Sequence, residues 1–186
     1  MRKAVLFALL FFTLVWSGHA RSEGQSTRRK LDRATGIQGY SCDQDYAWFY
    51  ADGKLQRCTV SQETRFGEAS IPKGSLIYLK PDGSLRAVQL AHSTRIHDVL
   101  CDGGGFLGPA EGSGVGFYPS GKLKVCYLSS SQEVQGVPCA RGGILATLTG
   151  PDPEVTFYES GRLRSCRLSR SFNGQMKSTI WRQAEK

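Results

Sequence analysis

A short pattern of apolar and polar positions recurs four times along this chain. Each copy has an aromatic or aliphatic residue, then a polar turn ending in glycine, and a leucine two residues after the glycine. The copies are Phe49–Leu55, Leu79–Leu85, Phe117–Leu123 and Phe157–Leu163. Their glycines are separated by 30, 38 and 40 residues, so the pattern indicates an imperfect tandem array of one structural unit.

Each copy of the pattern predicts a β-hairpin. Asp-Gly or Ser-Gly supplies the positive φ of a tight turn, and an apolar strand enters and leaves it. Downstream of the N-terminal apolar run, no sustained 3.6-residue period of apolar positions indicates a helix. We therefore predict an all-β antiparallel meander of about four hairpin units, with three or four short strands each, over residues 40–61, 66–91, 99–129 and 137–169. The period is compatible with an open solenoid-like stack and with a closed barrel or propeller-like ring.

The strand that leaves each turn has a second regularity. Buried-type residues follow the turn glycine at the fifth and seventh positions, and they share one face of a regular strand. They are Cys58 and Val60, Val88 and Leu90, Cys126 and Leu128, and Cys166 and Leu168. The leucine two residues after the glycine then falls on the opposite face, unless a β-bulge shifts the phase. We favour partial burial of both faces, with the basic residues beside each leucine pointing outward.

Six cysteines follow the same array, and their even number in an exported chain favours disulfides. Units one, three and four each have one cysteine before the hairpin and one on its outgoing strand, whereas unit two lacks both. Joint loss of two cysteines is what a bond within one unit predicts. The predicted pairs are Cys42–Cys58, Cys101–Cys126 and Cys139–Cys166. A metal site is less favoured, because the chain has no Cys-x-x-Cys pair and thiolate ligands are uncommon in exported proteins.

The N-terminal residues predict export. Residues 1–20 have a basic start, a 13-residue apolar run and small residues before a cleavage position, as in a signal peptide. This run is shorter than the roughly 20 residues of a membrane-spanning helix. The first cysteine, Cys42, lies far beyond the cleavage position, so no lipid-modified cysteine is expected. We predict a disordered polar leader over residues 21–36, one domain over 37–186, and a secreted or periplasmic location without a transmembrane span.

The charge of the chain favours acidic partners. The formal net charge is +8, and removal of residues 1–20 takes away two basic residues and no acidic one, leaving +6. The best candidate binding face combines aromatic and basic positions of the hairpins: Tyr50, Tyr118, Tyr158, Lys54, Lys122, Lys124, Arg162 and Arg164. The alternative is that these aromatic residues form the hairpin core. Candidate partners are an envelope polysaccharide, an anionic lipid headgroup or a protein; nucleic acid is not expected, and the oligomeric state stays open.

Residues suited to catalysis or metal binding are few. After residue 20 the only histidines are His92 and His97, whose spacing puts them on opposite faces of a strand, and the nearby Cys101 is assigned to a disulfide. We therefore predict no catalytic, cofactor-binding or metal site, and no enzyme activity. An exported hydrolase that gathers a histidine with distant acids is the competing class. A small disulfide-rich inhibitor with a protruding loop, such as 106–116, is a third.

The hairpin core, aromatic-Tyr-x-(Asp/Ser)-Gly-(Lys/Arg)-Leu-(Lys/Arg), resembles the variant MORN-type repeats of many bacterial proteins. The resemblance covers about a dozen residues in each unit, and the chain departs from it by its longer, uneven period and its cysteine pairs. It implies an elongated β-sheet array that serves as an interaction or structural module. The expected function is therefore that of an exported, non-catalytic β-repeat module that binds a partner or supports structure in the envelope or outside the cell.

Overall fold

The computed structural model describes residues 26–103, 114–142, 155–169 and 180–183. Within these ranges the regular structure consists of eighteen β-strands and contains no helix, which confirms the all-β prediction. Ten strands belong to one large layer: β1 (Thr27–Lys30), β4 (Tyr46–Phe49), β5 (Leu55–Thr59), β8 (Leu76–Leu79), β9 (Leu85–Gln89), β12 (Gly116–Phe117), β13 (Leu123–Cys126), β16 (Val155–Phe157), β17 (Leu163–Arg167) and β18 (Ile180–Arg182). Eight shorter strands form four separate hairpins: β2 (Thr35–Ile37) with β3 (Tyr40–Cys42), β6 (Thr64–Phe66) with β7 (Ala69–Ile71), β10 (Thr94–Ile96) with β11 (Val99–Cys101), and β14 (Gln132–Val134) with β15 (Val137–Cys139).

The large layer is an open antiparallel array. Its two five-stranded halves have the orders β1-β4-β5-β8-β9 and β12-β13-β16-β17-β18. A bridge between Val88 and Val115 joins them, and each of these two residues donates its amide to the carbonyl of the other at 2.8 Å. In the described residues β1 and β18 are the outer strands and do not pair with each other. The array is therefore the open, solenoid-like alternative and not a closed barrel.

The four predicted hairpins form as expected around their turn glycines. Gly53, Gly83, Gly121 and Gly161 have φ values of 80°, 84°, 82° and 87°. In the first turn, the Gly53 amide donates to the Tyr50 carbonyl and the Tyr50 amide donates to the Lys54 carbonyl. This is the geometry of a three-residue hairpin loop that ends in a left-handed residue.

A second, shorter hairpin precedes each predicted one, and the sequence analysis did not identify it. Each unit therefore has four strands, and it begins at residues 35, 64, 94 and 132, earlier than the predicted bounds. Three of the four short turns have positive φ at both central residues, as in a type I′ turn: Gln38-Gly39, His97-Asp98 and Gln135-Gly136. The signal was weak because the short strands have only three residues each and the turns lack Asn-Gly or Asp-Gly.

The His97-Asp98 turn has two non-glycine residues in the left-handed region, with φ of 47° and 67°. The equivalent second turn position holds Gly39 in unit one and Gly136 in unit four. We expect Asp98→Gly to raise the free energy of unfolding by about 0.5–1 kcal/mol, because a Cβ is disfavoured at this φ. Urea denaturation measures the change. Asp98→Ala is the matched control, and an equal gain from alanine would contradict the explanation from backbone strain.

A β-bulge resolves the phase of the outgoing strands, so the favoured placement of each leucine on the face opposite the cysteine position is wrong. Phe49 pairs with Leu55 and Trp48 pairs with Arg57, so Gln56 is an extra residue. The same shift occurs in the other three long hairpins. Leu55 and Cys58 therefore both face the core, at 0% and 1% exposure, while the bulge directs residues 56 and 57 toward the outer face.

The core lies between the ten-stranded layer and the four short hairpins, and the disulfides connect the two. The predicted pairs are confirmed: Cys42–Cys58 joins β3 to β5, Cys101–Cys126 joins β11 to β13, and Cys139–Cys166 joins β15 to β17. Their Cα–Cα distances are 5.7, 5.8 and 5.7 Å. In unit two the same positions on β7 and β9 hold Ile71 and Val88, both fully buried. An apolar contact thus replaces the cross-link there.

Part of the expected leader is ordered. Residues 1–25, with the expected signal peptide, lie outside the described residues, but Thr27–Lys30 forms β1 and Thr35–Ile37 forms β2. The polar composition that suggests disorder suits an outermost strand, because β1 pairs with β4 on one side only. Charged residues on such a strand disfavour pairing with a further chain.

Units two and three meet at a junction that differs from the others. In the part of the chain that is described, the sheet continues there through one bridge, Val88–Val115. In addition, the short-hairpin turn of unit two touches the long-hairpin turn of unit three. A β-carbon at Gly67 would lie 2.8 Å from the Cα of Gly121. Beside this contact, the rings of Phe66 and Phe117 meet edge to face, with centroids 5.4 Å apart.

Candidate binding face

Basic residues are concentrated on the ten-stranded layer. Its strands contain nine lysines or arginines and no aspartate or glutamate among the residues described. The basic residues are Arg28, Arg29, Lys30, Arg57, Arg86, Lys124, Arg164, Arg167 and Arg182. The acidic residues of the described ranges lie in turns, loops and the short hairpins. Eight of the nine belong to the outer face, whereas Arg29 pairs with the buried Ala47 and lies over the Phe49 ring on the other side. The outer face of the sheet therefore has one sign of charge, which favours acidic partners.

One row of residues crosses the whole sheet on this outer face. Strand pairing aligns Arg28, Trp48, Arg57, Tyr78 and Ala87 in the first half, and Gly116, Val125, Thr156, Ser165 and Arg182 in the second. The bridge beside them brings Ala87 next to Gly116. We call this alignment the central row. It has large side chains in units one and two and small ones from Ala87 to Ser165.

The large side chains of the central row stack on one another. The Arg57 guanidinium carbon lies 4.1 Å from the ring centroid of Trp48 and 5.9 Å from that of Tyr78. Arg28 lies 4.0 Å from the centroid of Tyr46 in the neighbouring row. Such cation–π contacts hold the long cationic side chains against the sheet. The result is a half-buried shelf of rings and guanidinium groups.

A groove of about 800 Å³ lies over the middle of this face. Its floor follows the central row from Arg57 and Tyr78 across Ala87, Gly116 and Val125. The groove exists because Ala87 and Gly116 provide no large side chain between the shelf and β13. The side of the groove nearest the turns of the long hairpins is lined by Tyr50, Gln56, Lys80, Arg86 and Lys124.

The bulges place cations along one side of the central row. The extra residue of each long hairpin is Gln56, Arg86, Lys124 or Arg164. Arg86, Lys124 and Arg164 are exposed, and they lie beside the small residues Ala87, Val125 and Ser165. They recur on every second strand, which corresponds to about 10 Å between successive cations. We call these three residues the cation row.

The predicted tyrosines hold neighbouring hairpins together. The hydroxyl groups of Tyr50, Tyr118 and Tyr158 donate to the carbonyls of Leu79, Phe157 and Gln183, at 2.7, 2.8 and 2.6 Å. Burial raises the pKa of Tyr50 above its ordinary value, so this hydroxyl stays protonated at neutral pH. Each tyrosine is half-buried, whereas the preceding phenylalanines are 4–6% exposed and belong to the core. In unit two Lys80 stands at the tyrosine position, so this link is missing at the junction with unit three.

The predicted basic residues divide into two groups. Lys124 lines the groove, and Arg164 lies further along the same face. Lys124 and Arg164 also lie 5.7 and 5.6 Å from the ring centroids of Tyr118 and Tyr158. Lys54, Lys122 and Arg162 lie beside the turns instead, where they are exposed. The Lys54 amine donates to the Pro81 carbonyl at 3.0 Å and lies 3.3 Å from Asp52, so it connects two turns.

The nearest carboxylates are engaged within the turns. The Lys54 amide donates to Asp52, and the hydroxyl and amide of Ser84 donate to Asp82. These hydrogen bonds hold the pKa of both carboxyl groups below the ordinary value. Both are therefore charged at neutral pH and stabilise the turn geometry, while the adjacent face keeps its positive charge.

The sequence analysis did not identify Trp48, Arg57 and Tyr78 as binding candidates. They lie outside the turn motif on which the candidate face was based. The signal that could have found them is the bulge, because it places the second residue after each leucine on the outer face. Strand register then aligns that residue with the outward residue of the incoming strand.

The histidines lie away from the groove. His97 is in a short-hairpin turn, where its Nε2 lies 3.6 Å from the Glu68 carboxylate, and His92 is exposed in the preceding loop. The described lining of the groove contains no histidine, aspartate or glutamate. Within the described ranges, no group of three or more metal-ligating side chains comes together. The loop that the inhibitor alternative would use, 106–116, lies largely outside the described residues.

Comparison with known proteins found no match to any family model, curated protein or solved structure. In the part of the chain that is described, no helix is long and apolar enough to cross a membrane.

Proposed function

We propose that this chain is an exported, non-catalytic β-repeat module that binds an acidic partner through the outer face of its ten-stranded sheet. The observation that carries this proposal is the charge of that face, with eight basic and no acidic residues on the described strands. Charge of one sign over a continuous surface raises the rate of encounter with polyanions. The module would act in the cell envelope or in the extracellular space.

Two further observations support this role. Three disulfides suit an oxidising compartment, in agreement with the signal peptide expected in residues 1–20. The resemblance of the long hairpins to MORN-type repeats also favours an interaction module. A hydrolase would need an acid–base pair in a pocket, and the groove lining offers none among its described residues.

The proposal predicts that retention on a dextran sulfate column depends on the face and not on net charge alone. We expect the variant Arg86→Ala/Lys124→Ala/Arg164→Ala to elute at clearly lower salt than the unmodified protein. Removing cations from one contact surface weakens binding to a polyanion, and salt screens what is left.

The matched control is Arg65→Ala/Lys73→Ala/Arg95→Ala, which removes the same charge at exposed positions outside the ten strands. It should elute near the unmodified protein. Equal loss of retention in the two triple variants would mean that net charge alone governs binding, and the proposed face would then be wrong.

A further inference from the structure

We propose that the groove and the cation row bind a linear acidic polysaccharide that lies across the strands, with one acidic group per disaccharide. This inference rests on the proposed function and specifies its ligand class. Three features of the face carry it: a recessed floor, a regular cation spacing and a shelf of rings at one end.

The floor defines the direction of the ligand. Part of the central row has only small side chains, one on each of five neighbouring strands. They are Ala87, Gly116, Val125, Thr156 and Ser165. These small side chains leave a shallow path along the surface. Because the row is perpendicular to the strands, this path follows the long axis of the array. Four strand spacings give it a length of about 19 Å. A ligand that fits this path is a narrow extended chain.

The cation row defines the charge spacing of the ligand. Arg86, Lys124 and Arg164 each adjoin a floor residue and recur on every second strand, at about 10 Å. A sugar in an extended β-linked chain is about as long as one strand spacing. An acidic group on every second sugar therefore meets one cation per disaccharide. A nucleic acid has a phosphate on every nucleotide and would present more charges than the row can pair.

The ends and walls of the path supply contacts suited to sugars. At one end, Tyr78 lines the groove and offers a half-buried ring, against which the apolar face of a sugar stacks. On the floor, the hydroxyls of Thr156 and Ser165 form a hydrogen bond with each other at 2.6 Å, and their remaining donor and acceptor sites can bind sugar hydroxyls. A lipid bilayer is flat and would meet the projecting cations without entering the path, so the recessed floor favours a chain.

The experiment measures binding of the full exported chain to a hyaluronate hexasaccharide, which has a carboxylate on every second sugar, by isothermal titration calorimetry. We expect binding, with little binding of a neutral chitin hexasaccharide. Each single alanine substitution in the cation row should weaken affinity about fivefold, and the triple variant about a hundredfold. The Arg65/Lys73/Arg95 alanine variant should bind as the unmodified protein does.

A second variant tests the floor without changing charge. Ala87→Trp adds a large ring at the outer face of β9, where an aromatic residue is well tolerated in a strand, and it fills the low path. We expect it to weaken hexasaccharide binding at least tenfold, because the ring blocks the path while Arg86, Lys124 and Arg164 are all retained. Thr156→Trp repeats the test further along the path. Circular dichroism and a count of free thiols check that each variant is folded and cross-linked.

The outcomes separate this inference from the function on which it rests. Binding of polyglutamate or of phosphatidylglycerol vesicles through the cation row, without hexasaccharide binding, would overturn the polysaccharide and leave the acidic-partner function standing. An Ala87→Trp variant that binds the hexasaccharide normally would also overturn it. Failure of every acidic probe to bind, dextran sulfate included, would overturn both.

Discussion

Replacing Cys139 and Cys166 together with alanine is expected to lower the free energy of unfolding by about 3–4 kcal/mol. The bond closes a loop of 27 residues and joins β15 in the hairpin layer to β17 in the sheet. Both cysteines are at most 1% exposed, so the variant also loses buried sulfur contacts in the core. Urea denaturation under non-reducing conditions measures the change. A loss below about 1 kcal/mol would mean that core packing alone joins the two layers.

Unit two offers the reciprocal control. Ile71 and Val88 stand where the other units have their cysteines, and the engineered bond would close a loop of 17 residues. We expect Ile71→Cys/Val88→Cys to form a fourth disulfide and to raise stability by about 2–3 kcal/mol relative to its reduced form. Peptide mapping without reduction identifies the bond. Free thiols at both positions would show that unit two does not have the geometry of its neighbours.

The second large effect is expected from Gly121→Ala, which should lower the free energy of unfolding by about 2–5 kcal/mol. Two costs combine at this position. The residue has a φ of 82°, which disfavours any side chain, and its β-carbon would lie 2.7 Å from the Cα of Gly67. The neighbour is backbone and cannot rotate away, so the turns of units two and three would have to separate.

Gly161→Ala is the matched control for this prediction. Gly161 has almost the same φ, 87°, in the equivalent turn of unit four, but nothing lies within 4 Å of its β-carbon position. It should show only the conformational cost, about 1–2 kcal/mol. The difference between the two variants measures the contact between units two and three. Equal losses would mean that the contact contributes nothing.

The sequence predicted the elements whose turns have strong local chemistry. Asp-Gly and Ser-Gly specify the long hairpins almost alone, because few other residue pairs adopt the required φ. The cysteine pairing also followed from sequence, since unit two lacks both partners at once. The short hairpins were not predicted because Gln38-Gly39 and His97-Asp98 are weaker turn signals than Asp-Gly or Ser-Gly. Their strands are also too short for a clear alternation.

The remaining differences come from interactions distant in sequence. The bulge at Gln56 allows Leu55 and Cys58 to face the same core. The sequence of a single strand does not show this requirement. The order of β1 depends on pairing with β4, so its composition alone suggested disorder. The exposure of the basic residues beside the leucines was predicted correctly, but the central row could not be predicted because it requires strand register. The alignment of Arg57 with Tyr78 is therefore visible only in the assembled sheet.

The junction at Val88 and Val115 also has a mechanical consequence. Tension along the array pulls neighbouring strands apart, and resistance grows with the number of residue pairs in each ladder. Among the described residues, β9 joins the second half-sheet through the one bridge between Val88 and Val115, whereas β8 and β9 share four residue pairs. No tyrosine link or disulfide of the described residues crosses this line. Under load the molecule should yield there first, releasing two cross-linked halves that still hold their own folds and can rejoin when the force is removed.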